Sequence, residues 1–84
     1  MAYELRIRSA AKKQMQRLPD NIFRLVDQHI RALRGDPRPP GAKKLVGGIG
    51  WRIRVGDYRV IYEIDDQLTI VSVVAVKPRQ SAYK

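Results

Sequence analysis

The chain has 84 residues, with 17 lysine and arginine residues against 8 aspartate and glutamate residues and a formal net charge of +9. This length allows one domain with a small core, and the lack of cysteine excludes disulfides and thiolate metal sites. No apolar run approaches the roughly 20 residues of a membrane span. We therefore expect one soluble, cytoplasmic domain over residues 1–84, with no membrane partner. The positive charge favours a polyanion as partner.

The N-terminal part of the chain predicts a strand followed by two helices. Residues 2–8 alternate apolar and polar side chains, which is the period of a half-buried strand. Ser9 can cap a short helix that Pro19 ends, and the apolar positions between them recur at helical spacing. A second helix begins near Asp20 and ends before Gly35, where we expect a left-handed C-terminal residue. The two helices predict a helical hairpin.

The rest of the chain predicts a loop and then strands. The proline-rich loop (residues 35–41) is followed by a brief extended piece near residues 42–46 and a glycine-rich turn. Strand-like runs then occupy residues 51–55, 58–64 and 68–76. The order is β-α-α-β-β-β, which predicts the α+β class, with a small, mainly antiparallel sheet that carries the helical hairpin on one face.

A two-residue turn, Gly56-Asp57, joins the first two strands of this final group, and such a Gly-X turn is a strong signal for a β-hairpin. The turn places Arg54 opposite Arg59. Because side chains alternate across a sheet, Arg52 lies on the same face as these two, and the apolar side chains form the other face. Two unit charges about 5 Å apart repel by roughly 3 kcal/mol at an effective dielectric constant of ~20, before solvent screening.

A bound phosphodiester would relieve this repulsion, because guanidinium groups match phosphate oxygens. The alternative is a set of solvated arginines that splay apart and bind nothing. The only acids of the hairpin, Asp57 and Glu63, lie far apart along it, which argues against a two-metal nuclease. RNA supplies its own nucleophile, the 2′-hydroxyl, so cleavage without a metal or cofactor needs positioning, positive charge and proton transfer.

Proton transfer needs a group other than arginine, whose guanidinium hardly gives up its proton. The plausible titrating groups are Lys77 and Tyr83, near and beyond the end of the last strand. An ordinary exposed tyrosine is the alternative for Tyr83. Three lysines, Lys43, Lys44 and Lys77, also fit contacts with an RNA backbone, and so does Arg38 in the loop before Lys43, with solvated surface charge as the alternative.

The segment WRIRVGDYRVIY (residues 51–62), followed by Lys77-Pro78-Arg79 and Tyr83, resembles the RelE/ParE superfamily of toxins from type II toxin–antitoxin systems. The likeness covers nearly the whole chain and implies a RelE-like, microbial-ribonuclease-like fold. In the RelE branch it implies an mRNA interferase, which cleaves messenger RNA on the ribosome by 2′-hydroxyl attack without a metal ion and so inhibits translation. The catalytic set that the resemblance implies is Arg52, Arg54, Arg59, Arg79 and Tyr83.

The resemblance also implies a cognate antitoxin, the ribosome and messenger RNA as partners, with no cofactor. The chain departs from the family pattern at Arg52 and Arg54, which are lysines in the best-known members, and at Lys77-Pro78, which replaces the usual histidine. These departures leave the identity of the general base open. Two alternatives remain, a ParE-like toxin that inhibits DNA gyrase through protein contacts and an RNA-binding module without activity.

Overall fold

The computed structural model describes residues 2–48 and 50–78. The elements in chain order are β1 (Glu4–Ile7), α1 (Ser9–Gln16), α2 (Asp20–Ala32), β2 (Lys43–Lys44), β3 (Trp51–Val55), β4 (Tyr58–Asp65) and β5 (Ile70–Pro78). The strands form one sheet in the order β1-β5-β4-β3-β2. The predicted α+β fold is therefore confirmed. In the described part of the chain, no helix is long and apolar enough to cross a membrane.

The β3–β4 hairpin has the register that its turn predicts. Val55 pairs with Tyr58 and Arg54 pairs with Arg59. Gly56 has a φ of 58°, the positive value that the first loop residue of a type II′ turn requires. A slip of one residue would move every side chain to the wrong face, so this turn determines which residues reach the core.

The long strand β5 lies in the interior of the sheet, parallel to β1 and antiparallel to β4. It begins at Ile70 and includes Pro78, so the predicted range of residues 68–76 was shifted by two residues. Its pairing with β4 contains a bulge, because Ile61 pairs with Ala75 while the next residue of β4 pairs with Val73. The extra residue, Val74, interrupts the regular alternation of side chains between the two faces of the sheet along β5. The sequence does not reveal the position of this bulge.

The core lies between the two helices and one face of the sheet. Its largest fully buried side chain is Tyr62, whose hydroxyl donates a 2.7 Å hydrogen bond to the carbonyl oxygen of Pro37. Burial raises the pKa of Tyr62 to about 12. Trp51 packs against this core, as predicted from its position on the apolar face of the hairpin.

Two predicted helix ends differ in the structure. Ser9 is the first residue of α1 and makes no capping hydrogen bond, because Arg8 occupies the N-cap position. Gly35 is not left-handed, so that prediction was wrong. Instead α2 ends in a tightened turn in which Leu33 and Gly35 each donate a backbone hydrogen bond three residues back, which satisfies the last carbonyls of the helix without a left-handed residue.

The proline-rich loop is anchored to the far end of the hairpin by Arg38. Its guanidinium donates two hydrogen bonds to Asp66, of 3.3 and 2.8 Å, and lies 5.2 Å from the centre of the Trp51 ring. Tyr3 donates a further 2.8 Å bond to the same carboxylate. The hydrogen bonds from Arg38 and Tyr3 lower the pKa of Asp66. This anchor fixes the loop that leads into β2.

Candidate functional site

Three cationic side chains form a row across the face of the sheet that points away from the helices. Arg54 pairs with Arg59 between β3 and β4, and Arg59 pairs with Lys77 between β4 and β5. Directly paired residues lie on the same face. The chain neighbours Val60 and Val76 are buried in the core, so the three cations lie on the opposite face. We call Arg54, Arg59 and Lys77 the cationic row.

Two more basic residues extend the positive surface along the same face. Arg52 lies two residues from Arg54 on β3, and it pairs with Lys43 of β2. Lys44, however, pairs with Trp51, whose ring packs against the core, and so Lys44 belongs to the other face of the sheet. The structure therefore brings together two of the three lysines that were predicted to bind RNA.

Arg59, at the centre of the row, lies in an unusual environment for an arginine. It is half-buried, and its buried Nε atom has no hydrogen-bond partner among the described residues. Leaving a buried donor unsatisfied costs roughly 1–3 kcal/mol. On the same face, Glu63 bonds to Arg8 at 3.0 Å. The centre of the row thus combines like charges with a strained, unsatisfied donor, and an anion bound to the outward-facing guanidinium nitrogens would offset the repulsion between the charges.

The row can bind and stabilise an anion that carries several oxygens, such as a phosphodiester. Guanidinium groups offer paired N–H donors in a fixed plane, and Arg52, Arg54 and Arg59 supply this geometry. Lys77 contributes an amine to the row instead of a guanidinium. Across residues 2–48 and 50–78, no three His, Cys, Asp or Glu side chains come together in a group that could hold a metal ion.

Two of the predicted catalytic residues, Arg79 and Tyr83, lie outside the described residues. Within the described chain, β5 ends at Pro78, which pairs with Tyr58 beside the cationic row. Sequence reasoning placed Lys77 near the end of the last strand but did not find its alignment with Arg59. That alignment depends on the bulge in β5, for which the sequence carries no local signal.

The chain matches the family model of the ParE toxin of type II toxin–antitoxin systems, parDE, over residues 5–83. No curated protein sequence matches the chain significantly. Among solved structures, it is similar to the toxin–antitoxin complex RelBE2 from Mycobacterium tuberculosis, with a TM-score of 0.83 and 28% identity over 94% of this chain and 100% of that chain. The match confirms the resemblance to the RelE/ParE superfamily.

Two further structures have the same fold. The archaeal RelE–RelB complex from Pyrococcus horikoshii matches with a TM-score of 0.80 and 28% identity, over 94% of this chain and 97% of that chain. A mutant of the RelE toxin from E. coli in the free state matches with a TM-score of 0.81 over 98% of this chain and 88% of that chain. At 24% identity this last likeness is one of fold alone.

Proposed function

Because the chain belongs to the ParE toxin family of type II toxin–antitoxin systems, we propose that as a toxin it cleaves messenger RNA on the ribosome and so inhibits translation in the cytoplasm. The cleavage needs no metal ion. The observation that carries the proposal is the cationic row, in which Arg54, Arg59 and Lys77 lie side by side on the face of the sheet that points away from the helices. A row of like charges destabilises the folded protein, and a bound RNA phosphate offsets this destabilisation.

The reaction that suits this surface is transesterification of RNA. The 2′-oxygen forms a bond to the adjacent phosphorus, and the bond from phosphorus to the 5′-oxygen breaks. The 2′-hydroxyl loses its proton and the leaving 5′-oxygen gains one, so the products are a 2′,3′-cyclic phosphate and a 5′-hydroxyl. Negative charge develops on the phosphate oxygens between these steps, and donors already in place stabilise it most.

The residues have separate roles in this proposal. Arg59 holds the phosphate through its terminal nitrogens, while Arg52 and Arg54 contact it from β3. Lys43, which pairs with Arg52 at the edge of the sheet, extends the contact with the RNA backbone. Lys77, together with Arg79 and Tyr83 of the C-terminal segment, completes the set of groups for charge and proton transfer.

Transcript-end mapping after induction of the chain in cells tests the proposal. We expect translation to stop and transcripts to be cut within their coding regions. Arg59→Ala should abolish the new ends, whereas Arg24→Ala, which removes an exposed arginine from α2, should leave them unchanged. Intact transcripts in translating cells that express the wild-type chain would contradict the proposal.

A second candidate function is inhibition of DNA gyrase through protein contacts, which the match to the ParE family model favours. It predicts a DNA-damage response and intact transcripts in the same experiment. It also predicts that Arg59→Ala keeps its toxicity, because the cationic row then has no phosphate to hold. RNA binding that weakens with salt, without cleavage on translating ribosomes, would instead identify an inactive RNA-binding module.

A further inference from the structure

A second row of polar side chains crosses the same face of the sheet as the cationic row. Glu63 of β4 pairs with Ser72 of β5, and Ser72 pairs with Arg6 of β1. The chain neighbours Tyr62 and Val71 are buried in the core, so these three side chains point away from the helices. We call Glu63, Ser72 and Arg6 the polar row.

The polar row lines a pocket of about 570 Å³, within the range of roughly 300–1,000 Å³ that is typical of binding pockets. Ile70, which is half-buried, and Leu68, which is 66% exposed, add apolar surface to its lining. A pocket in which a few polar groups converge beside apolar surface is the usual form of a site for a small molecule or a single chemical group.

The charged side chains around this pocket have partners inside the protein. Glu63 accepts a 3.0 Å hydrogen bond from Arg8, and Arg6 donates a hydrogen bond to Glu4. Asp65, which also lines the pocket, accepts a 2.9 Å hydrogen bond from a backbone N–H. Because these charges are compensated and the acids repel a phosphate, the pocket favours an uncharged, polar occupant.

The pocket lies within reach of an RNA strand that is held by the cationic row. Glu63 follows Arg59 by four residues on β4, which places their Cα atoms about 14 Å apart at ~3.4 Å per residue. A strand with one phosphate on Arg59 therefore brings the base of a nearby nucleotide to the pocket. Proteins that bind an unstacked base hold its faces with aromatic or apolar side chains and read its Watson–Crick edge with polar groups.

We propose that this pocket selects a nucleobase that carries an amino group next to an unprotonated ring nitrogen, which is cytosine or adenine, and that it discriminates against uracil. The amino group donates to the Glu63 carboxylate, and the ring nitrogen accepts the hydroxyl proton of Ser72. Uracil presents a carbonyl oxygen in place of the amino group, and two acceptors form no hydrogen bond with each other. The inference rests on RNA as the proposed substrate and adds the base that the chain selects.

Binding of a cytidine hexamer and a uridine hexamer to the purified chain tests the pocket, because the register of a homopolymer does not matter. Both hexamers carry 2′-O-methyl groups and so lack the nucleophile for cleavage. We expect the cytidine hexamer to bind at least fivefold more tightly than the uridine hexamer.

Two variants that each remove one negative charge separate base selection from general electrostatics. Glu63→Gln keeps an oxygen for Arg8 but can also donate to the uracil carbonyl, so the preference for cytosine should fall below twofold. Asp57→Asn makes the same charge change in the hairpin turn, where the side chain is exposed, and should keep the full preference. Thermal unfolding establishes that both variants are folded.

Arg59→Ala distinguishes the pocket from the cationic row. It should weaken the binding of both hexamers by the same factor, because the phosphates are common to both. Wild-type protein that binds the hexamers equally or binds neither, or a preference for cytosine that survives Glu63→Gln, would overturn the inference. The assay uses no ribosome, so a chain that selects cytosine but cuts no transcript in cells would overturn only the proposed activity.

Discussion

Removal of the central charge of the cationic row should make the free protein more stable while it weakens the proposed activity. Arg59 lies opposite both Arg54 and Lys77, and in residues 2–48 and 50–78 its buried Nε finds no hydrogen-bond partner. Like charges at paired positions of a sheet each cost roughly 0.2–1 kcal/mol. Two such neighbours give about 1 kcal/mol, and the unsatisfied donor adds roughly 1–3 kcal/mol if no water reaches it.

Arg59→Met removes the charge and the donor but keeps a long apolar stem that packs against the sheet. We expect it to raise the free energy of unfolding by about 1–4 kcal/mol, the lower figure from repulsion alone and the upper with the full penalty of the donor. The melting temperature should rise by roughly 4–8 °C per kcal/mol in a domain of this size. Arg59→Lys keeps the charge, so its free energy of unfolding should rise by less than that of Arg59→Met. Arg24→Met, at an exposed position of α2, should stay within about 0.5 kcal/mol of wild type.

Urea unfolding followed by the fluorescence of Trp51, the single tryptophan, measures these differences. The gain from Arg59→Met should shrink at about 1 M salt, where the Debye length falls to ~3 Å. In the cleavage assay the same variant should lose roughly 10²–10³ in rate, as expected for the loss of a charge-stabilising donor. A destabilised Arg59→Met protein, or a gain that salt does not change, would refute the argument from repulsion.

Three other positions give testable outcomes. Tyr62→Phe leaves the buried Pro37 carbonyl without its donor and should lower the free energy of unfolding in urea by roughly 1–3 kcal/mol. Because the pKa of Tyr62 is raised to about 12 in the folded protein, the wild type should lose stability as the pH rises from 10 towards 12, and Tyr62→Phe should not show this loss. Gly50→Ala would place a Cβ 2.7 Å from the Tyr62 carbonyl oxygen at a φ of 115°, so its melting temperature should fall well below that of Gly48→Ala, whose Cβ meets only an ordinary 3.7 Å contact. Asp66→Asn weakens the salt bridge to the proline-rich loop, and because the pKa of Asp66 is lowered in the folded protein, the stability difference from wild type should be present at neutral pH and vanish as the pH falls below about 4 in acid unfolding.

The hairpin could be predicted closely because its register depends on local chemistry. The Gly56-Asp57 turn has few conformations, and these place Arg54 opposite Arg59 whatever the rest of the chain does. The position of β5 could not be predicted in this way. Its neighbour β1 comes from the start of the chain, and the bulge in its pairing with β4 has no local signal in the sequence. The place of Lys77 in the row therefore emerges only from the structure.

The anchor of the proline-rich loop is a second feature that could not be predicted from the sequence. From the sequence, Arg38 was expected to contact an RNA backbone together with Lys43 and Lys44, and nothing near it marks Asp66 as its partner. In the structure the pair joins residues that lie 28 positions apart, and the guanidinium also lies over an aromatic ring. A basic residue that has a partner of this kind supports the fold, so the net charge overstates the charge that is available to bind a polyanion.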